Sequence, residues 1–345
     1  MPAIAVADAL RAKGANVSFI GTAERAEAEL VPRAGYELDT LRVAGLSRTN
    51  PVKALASVGR AAAAIPSAVR VLKRRGVDAV MGGGGYVAGP VGLAAILSRR
   101  PLVLTEADSH FGLANRLLAR RARRVCLALP IQGRDGPKYL VTGRPVPQAV
   151  IDADRGAARE RFGIAPDARC VLVFGGSLGA RTINDAALAA FAPNGGVTPD
   201  RDYHVLHIAG RRDYADALSQ VENSDRYTLI EYEPNLGAVL AACDLVLGRA
   251  GGSVFELAAA GRPAILIPYP FATADHQREN AEWMVDGGAA TLIDDAELTP
   301  ERLAEVCAAL LGDPTQLAAM SAASRSLAKP DAAGRIAAEI LAACP

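Results

Sequence analysis

Three glycine-bearing stretches are where this chain could do chemistry. Gly82-Gly83-Gly84-Gly85-Tyr86-Val87-Ala88-Gly89-Pro90 follows the apolar run Asp78–Met81 and leads into residues with helical spacing. Gly175-Gly176-Ser177-Leu178-Gly179-Ala180 stands in the same position after Cys170–Phe174, ahead of a helical stretch through Asn184. Lacking a Cβ, glycine lets backbone approach a ligand, and the helix amino terminus aims free N–H groups and a partial positive charge at it. A diphosphate suits both features. For one such loop a plain strand-to-helix turn is an equal alternative; two loops in matching places weigh against it. Neither continues into Gly-Lys-Ser/Thr, which disfavours ATP hydrolysis.

The third stretch is Gly248-Arg249-Ala250-Gly251-Gly252-Ser253-Val254-Phe255-Glu256, followed by Ala260-Gly261-Arg262-Pro263. Glu256 falls one turn inside a helix opened by Gly251 and Gly252. A carboxylate there can accept two hydrogen bonds from vicinal hydroxyls such as a ribose offers, or can simply favour the helix dipole. Beyond Pro268-Tyr269-Pro270 comes Asp275-His276-Gln277-Arg278-Glu279-Asn280-Ala281, which by itself reads as a helix cap with an amide cluster. In a cleft, the same side chains suit sugar hydroxyls.

Short apolar runs alternate with helical segments along the whole chain. The strand candidates are Val17–Ile20, Asp78–Met81, Leu102–Thr105, Val125–Leu129, Cys170–Phe174, Val205–Ala209, Asp244–Leu247, Ala264–Pro268 and Ala290–Ile293. Helical spacing marks Leu55–Leu72, Val91–Leu97, Ile183–Phe191 and Val254–Ala260. Buried, non-alternating strands between helices predict an α/β fold with doubly wound parallel sheets. The turn-rich Gly143-Arg144-Pro145-Val146-Pro147 marks the domain break. The expectation is two Rossmann-like domains, 1–147 and 148–345, with the last helix free to return to the first, and a ligand cleft at the carboxyl ends of the strands. The first domain opens on a helix where a doubly wound unit should have a strand and a glycine turn. Without that central strand the sheet edges stay open, so a start upstream of Met1 is expected.

With 345 residues, half of them hydrophobic and 22% charged, the chain is long enough for about two packed domains at roughly 150 residues each and is not a disordered one. A net charge of +1 and 5% aromatic content argue against a nucleic-acid binder. Five separated cysteines, mostly in apolar runs, read as buried thiols in a reducing compartment. No stretch is apolar enough to span a bilayer, and no secretory leader opens the chain, so a cytoplasmic protein is expected. Scattered histidines offer no metal cluster, and Asp152-Ala153-Asp154 reads as a helix cap rather than a metal clamp.

The stretches Gly21–Pro32, Gly82–Pro90, Gly175–Asn184, Arg249–Pro270 and Asp275–Ala281 together resemble the MurG family, in the right order over nearly the whole chain. The resemblance implies a GT-B glycosyltransferase that passes N-acetylglucosamine from UDP-N-acetylglucosamine to the 4-hydroxyl of a muramyl residue. The acceptor would be lipid I and the product lipid II, in cell-wall synthesis, with inversion and without metal or other cofactor. Gly176 and Ser177 would then hold the donor diphosphate, with Gly252 and Ser253 beside it. Glu256 would take the ribose, Glu233 would mark the backbone that reads uracil, and Gln277 with Asp275 would take the sugar hydroxyls. Gly83, Gly84, Gly85 and Tyr86 would face the acceptor's diphosphate.

Three departures qualify that carry-over. The histidine of the family's first glycine loop has no counterpart, since of that segment only Pro2-Ala3 are present. Thr105-Glu106-Ala107-Asp108 stands for the family's His-Glu-Gln-Asn, so Asp108 replaces an amide that contacts the donor sugar. Gly143-Arg144-Pro145-Val146-Pro147 lacks the family's arginine, for which Arg144 could substitute. Glu106 is the remaining candidate for the general base, and His110 a weaker one. A lipid-linked acceptor also implies a peripheral protein at the cytoplasmic face of the plasma membrane. Phe111–Arg124, with five arginines among apolar residues and Lys73-Arg74-Arg75 and Arg99-Arg100 nearby, reads either as a basic amphipathic helix on anionic lipid or as an ordinary surface helix. The competing readings are another GT-B UDP-sugar transferase with a different acceptor, a UDP-sugar 2-epimerase, and a non-catalytic UDP-sugar-binding paralogue.

Overall fold

The structure is a computed structural model; it describes every residue except 1, 44–50, 177, 194–196, 199–200, 223 and 273–274, and no side chain of residues 51–56. The chain divides into two compact units, Met1–Pro147 with Lys329–Pro345, and Gln148–Ala328.

In the first unit the elements are α1 (Pro2–Ala12), β1 (Ser18–Gly21), α2 (Glu27–Arg33), β2 (Glu37–Thr40), α3 (Pro51–Arg75), β3 (Val80–Gly82), α4 (Gly85–Leu97), β4 (Leu102–Glu106), α5 (Leu113–Leu118), β5 (Arg124–Leu127) and β6 (Tyr139–Val141). All pairings are parallel, but in two separate sheets, β1-β2 and β3-β4-β5-β6. Leu102, Leu104, Val125 and Leu127 pack beneath α3, α4 and α5 through Ala68, Leu72, Ala94, Ala95 and Leu118. On the other face Val103 and Cys126 meet α1 and the last helix.

The second unit runs α6 (Gln148–Ile151), α7 (Arg155–Arg161), β7 (Arg169–Phe174), α8 (Arg181–Phe191), β8 (Tyr203–Ile208), α9 (Tyr214–Leu218), β9 (Tyr227–Ile230), α10 (Leu236–Ala242), β10 (Leu245–Gly248), α11 (Val254–Ala260), β11 (Ala264–Leu266), α12 (His276–Asp286), β12 (Ala290–Leu292), α13 (Pro300–Gly312) and α14 (Pro314–Leu327). The last helix, α15 (Ala332–Ala343), packs on α1 and β4 and so belongs to the first unit. The six parallel strands lie in the order β12-β11-β10-β7-β8-β9, the doubly wound arrangement with its switch point between β7 and β10. Every residue of β8 and β10 is buried, and β10 reads as an unbroken apolar run, whereas β8 carries two histidines.

Three strands, β2, β6 and β9, escape an apolar-run reading. Each is the edge of its sheet, and most of its positions are half-buried or exposed. Asp154 caps α7, its carboxylate accepting from Ala157 N at 2.7 Å. Cys126, Cys170, Cys243 and Cys307 are buried free thiols, pushed up to about 12, 11 and 12 at Cys126, Cys243 and Cys307 by burial. The segment Phe111–Arg124 is not one amphipathic helix. Only Leu113–Leu118 is helical, Leu118, Ala119 and Ala122 are core, and Arg124 opens β5 and pairs with Glu339.

Candidate functional site

In the second unit the predicted donor residues gather at the carboxyl ends of the strands. The Gly175–Gly179 loop leaves β7 for α8, whose N-cap residue Ala180 supplies no side-chain cap, so among the described residues no side chain caps the first N–H groups of that helix. Gly176 has φ +97° and Gly179 φ +90°, a backbone that strains any other residue. A Cβ on Gly175 would stand 2.4 Å from Ala180 N, and one on Gly179 would stand 2.2 Å from Ala209 O. The loop is therefore pressed backbone to backbone against the end of β8. Ser177, expected to hold the diphosphate, lies outside the described residues.

Across the switch point, β10 ends so close to β7 that a Cβ on Gly248 would meet Phe174 O at 2.6 Å. The following loop carries Gly252 and Ser253 to the N-cap of α11, with Glu256 half-buried in its first turn. Asp275 takes φ +54° as the N-cap residue of α12. Its carboxylate is mostly exposed and stands 3.9 Å from the Arg278 guanidinium. Gln277 turns its carbonyl to the backbone, accepting from Tyr269 N at 3.0 Å, so what it offers a ligand is its amide N–H2. Glu233 follows β9 with its side chain engaged. Arg161 donates to it at 2.5 Å, and it accepts from Asn235 N at 2.8 Å ahead of α10. Only its backbone is available to a ligand.

Two residues that spacing alone does not single out tie these loops together. Arg249 donates to Ile267 O at 3.2 Å, to Pro268 O at 3.3 Å, to Thr182 Oγ1 at 2.7 Å and to Asp295 Oδ1 at 2.5 Å. One planar fork thus fastens the ends of β10 and β11 to the first turn of α8. Asn280, fully buried, donates to Ala250 O at 3.0 Å and pins the same loop to α12. An arginine two residues before a glycine pair is the signal that could have found the first; the second belongs to the amide cluster read for sugar hydroxyls, and its burial turns it to Ala250 O instead.

The other expected residues gather in the first unit. Gly84 and Gly85 take φ +79° and +73° where β3 passes into α4, and Gly83 precedes them exposed. Tyr86 lies in the first turn of α4 with the Arg25 guanidinium 5.6 Å over its ring. Glu106 ends β4 as a buried carboxylate accepting from Ala107 N at 3.1 Å, Gly112 N at 2.9 Å and Asn115 Nδ2 at 2.9 Å. It braces the loop that carries Asp108 and half-buried His110. Arg144, arriving after β6, donates to Ala107 O at 2.9 Å and stands 3.6 Å from the Asp108 carboxylate. Two residues 36 positions apart thereby form one ion pair beside Glu106.

Residues 1–127 match the glycosyltransferase family 28 N-terminal domain, and residues 170–336 match the family's C-terminal domain. A relative from Moorella thermoacetica, named UDP-N-acetylglucosamine--N-acetylmuramyl-(pentapeptide) pyrophosphoryl-undecaprenol N-acetylglucosamine transferase, is 41% identical over 96% of this chain and 92% of its own length. One of the same name from Salinibacter ruber is 40% identical over 99% of this chain and 92% of its own. The crystal structure of Acinetobacter baumannii MurG superposes with a TM-score of 0.77 at 29% identity, covering 99% of this chain and 95% of that one. The chain belongs to the MurG family of family 28 glycosyltransferases.

Proposed function

We propose that this chain transfers N-acetylglucosamine from UDP-N-acetylglucosamine to the 4-hydroxyl of an undecaprenyl-pyrophosphoryl muramyl-pentapeptide, turning lipid I into lipid II. The observation that carries the reading is the donor edge of the second unit: a clamped glycine loop and an open helix amino terminus at the switch point, with Glu256, Gln277 and Asp275 on the adjoining loops. In the reaction the acceptor oxygen bonds to the anomeric carbon as the bond from that carbon to the UDP oxygen breaks. Attack from the opposite side inverts the centre, the hydroxyl proton leaves to a base, and UDP departs with one more negative charge. The N–H groups at the start of α8 are aimed at that charge, so the reading requires no metal or other cofactor. Gly252 and Ser253 flank the nucleotide, Glu256 takes the ribose hydroxyls, and the backbone at Glu233 takes the uracil. In the first unit, Gly83, Gly84, Gly85 and Tyr86 face the acceptor diphosphate. Glu106 acts chiefly as the brace of the Asp108 loop, because its oxygens already accept three N–H groups.

The same reading puts the protein on the cytoplasmic face of the plasma membrane. No helix among the described residues is long and apolar enough to cross a membrane. The packed pair α4 and α5 exposes Leu93, Leu97, Leu113 and Leu117, with Arg99, Arg116, Arg120, Arg121 and Arg123 also exposed in these segments. That pairing of apolar and cationic side chains suits an anionic lipid surface. A second reading, the same donor with another acceptor, is favoured by the Asp108–Arg144 pair, which stands where the family has an amide and an arginine one turn on. Transfer of labelled N-acetylglucosamine to a lipid I analogue, beside a lipid-linked sugar lacking the pentapeptide, tests both. Transfer to lipid I alone is expected. Transfer only to the other acceptor establishes the second reading, and donor binding without any transfer points to a non-catalytic paralogue.

A further inference from the structure

Every residue of β8 is buried, yet the strand carries two histidines. They lie three residues apart and so point to opposite faces of the sheet. His204 ends locally, its Nε2 2.9 Å from Thr228 Oγ1 on the neighbouring strand. His207 does not. Fully buried, it takes a hydrogen bond from Tyr227 on one side, Nδ1 to hydroxyl 2.7 Å, and faces Asn184 Oδ1 at 3.1 Å with Nε2. Asn184 Oδ1 can only accept, so Nε2 carries the proton and Nδ1 accepts from the Tyr227 hydroxyl. The Asn184 amide then donates to Ala209 O at 2.9 Å and to Asp213 Oδ2 at 3.2 Å.

Those two acceptors are the atoms that wall in Gly179. A Cβ there would meet Ala209 O at 2.2 Å and Asp213 Oδ2 at 2.8 Å, and a Cβ on Gly210 would meet Gly179 N at 2.1 Å. Asp213 is itself held by Arg212, at 2.8 Å to each oxygen, with the Arg181 guanidinium 3.6 Å away at the start of α8. We infer that the chain Tyr227–His207–Asn184–Asp213 is a buried brace that fixes Gly179 and the entry to α8, making His207 and Asn184 positioning residues for the donor diphosphate. The brace acts by setting where the backbone at Gly179 enters the start of α8. Burial pushes the His207 imidazole down to about 3, so the ring stays neutral and the direction of the hydrogen bonds is preserved across the working range.

The inference rests on the donor-site reading above, and the experiment separates the two. The full chain is assayed for its Kd for UDP by calorimetry, for donor and acceptor KM and kcat, and for Tm, at pH 5.5 to 8. His207→Phe, and Asn184→Asp at pH 8, are each expected to raise the UDP Kd and the donor KM about tenfold while the acceptor KM stays put. In Asn184→Asp the new carboxylate faces Asp213 and the neutral His207 ring, and Asp213 is paired with Arg212 and Arg181. Its deficit against the wild type should shrink below pH 6, as the repelled pair picks up a proton and can donate again. His204→Phe, on the opposite face, should lower Tm without moving the UDP Kd. If His207→Phe does not fold, Asn184→Asp carries the test alone. A wild-type UDP Kd in these variants, or an Asn184→Asp deficit that is constant with pH, overturns the brace and leaves the donor site standing. A wild-type chain that binds no UDP overturns the donor reading and the brace with it.

Discussion

The two glycine loops are built from the same local device and used differently. In the first unit, Gly84 and Gly85 have left-handed φ values, yet a Cβ on either would meet nothing within 4 Å. In the second unit, Gly175, Gly179 and Gly210 are each within 2.4 Å of a backbone atom at the place a Cβ would occupy. Gly84 and Gly85 need to be glycine for their conformation alone. The second loop needs glycine for conformation and for a backbone contact that no side chain could share. A loop clamped before its ligand arrives loses little freedom on binding, which suits one invariant guest such as a nucleotide diphosphate. An open loop suits a larger guest whose fit is decided elsewhere.

The sharpest way to break this comparison is to add one methyl group to each loop. Gly179→Ala is expected to weaken UDP binding by about a hundredfold or more, because the backbone must move. Gly85→Ala should cost about 1–2 kcal/mol of stability from its left-handed φ and leave UDP binding unchanged. Calorimetry with UDP and thermal melting check both; equal effects on UDP binding would erase the distinction. Acid separates the units next. Above pH 6.5 His207 is neutral in both folded and unfolded chains, and its contribution is complete. Below that the unfolded chain takes a proton that the folded chain refuses until about pH 3. Stability should therefore fall with falling pH by up to about 1.4 kcal/mol per unit over that window. His204, lowered by burial and then by Arg201, adds in the same direction. Denaturant titrations of the wild type and His207→Gln at pH 7 and 5 measure the share.

The remaining tests have smaller expected effects. Glu106→Gln replaces an oxygen that accepts Gly112 N and Asn115 Nδ2, and should cost about 1–3 kcal/mol with the UDP Kd unchanged. Arg249→Lys keeps the charge but loses the fork that joins Thr182, Asp295 and the end of β11, and should raise the donor KM severalfold. A Leu97→Ser and Leu117→Ser double variant should reduce binding to anionic vesicles with activity on a short-chain acceptor unchanged. Flotation with and without salt reads that result.

Much of this was legible beforehand because the signals are local. Nine strands show as apolar runs, most plainly β7, β10 and β11 whose residues are nearly all buried, and the two glycine loops show because no other residue takes their backbone. The edge strands β2, β6 and β9 were hidden by half-exposed side chains that interrupt the run. Phe111–Arg124 misled as an amphipathic helix because its periodicity mixes core residues such as Leu118 with the exposed Leu117, and the chain turns before the arginines end.

The sequence by itself determined the alternation of strand and helix, the parallel doubly wound class, the two glycine turns and the acidic residue in the first turn of α11. All of these depend on neighbours a few positions away and on which backbone angles a residue tolerates. Only the tertiary structure decided that Asp108 meets Arg144, that Arg249 reaches Thr182 and Asp295, and that His207 is wired through Asn184 to the wall of Gly179. These partners are tens of positions apart. Their meeting depends on strand order and on burial that forces each polar group to find a hydrogen bond, which no local pattern records.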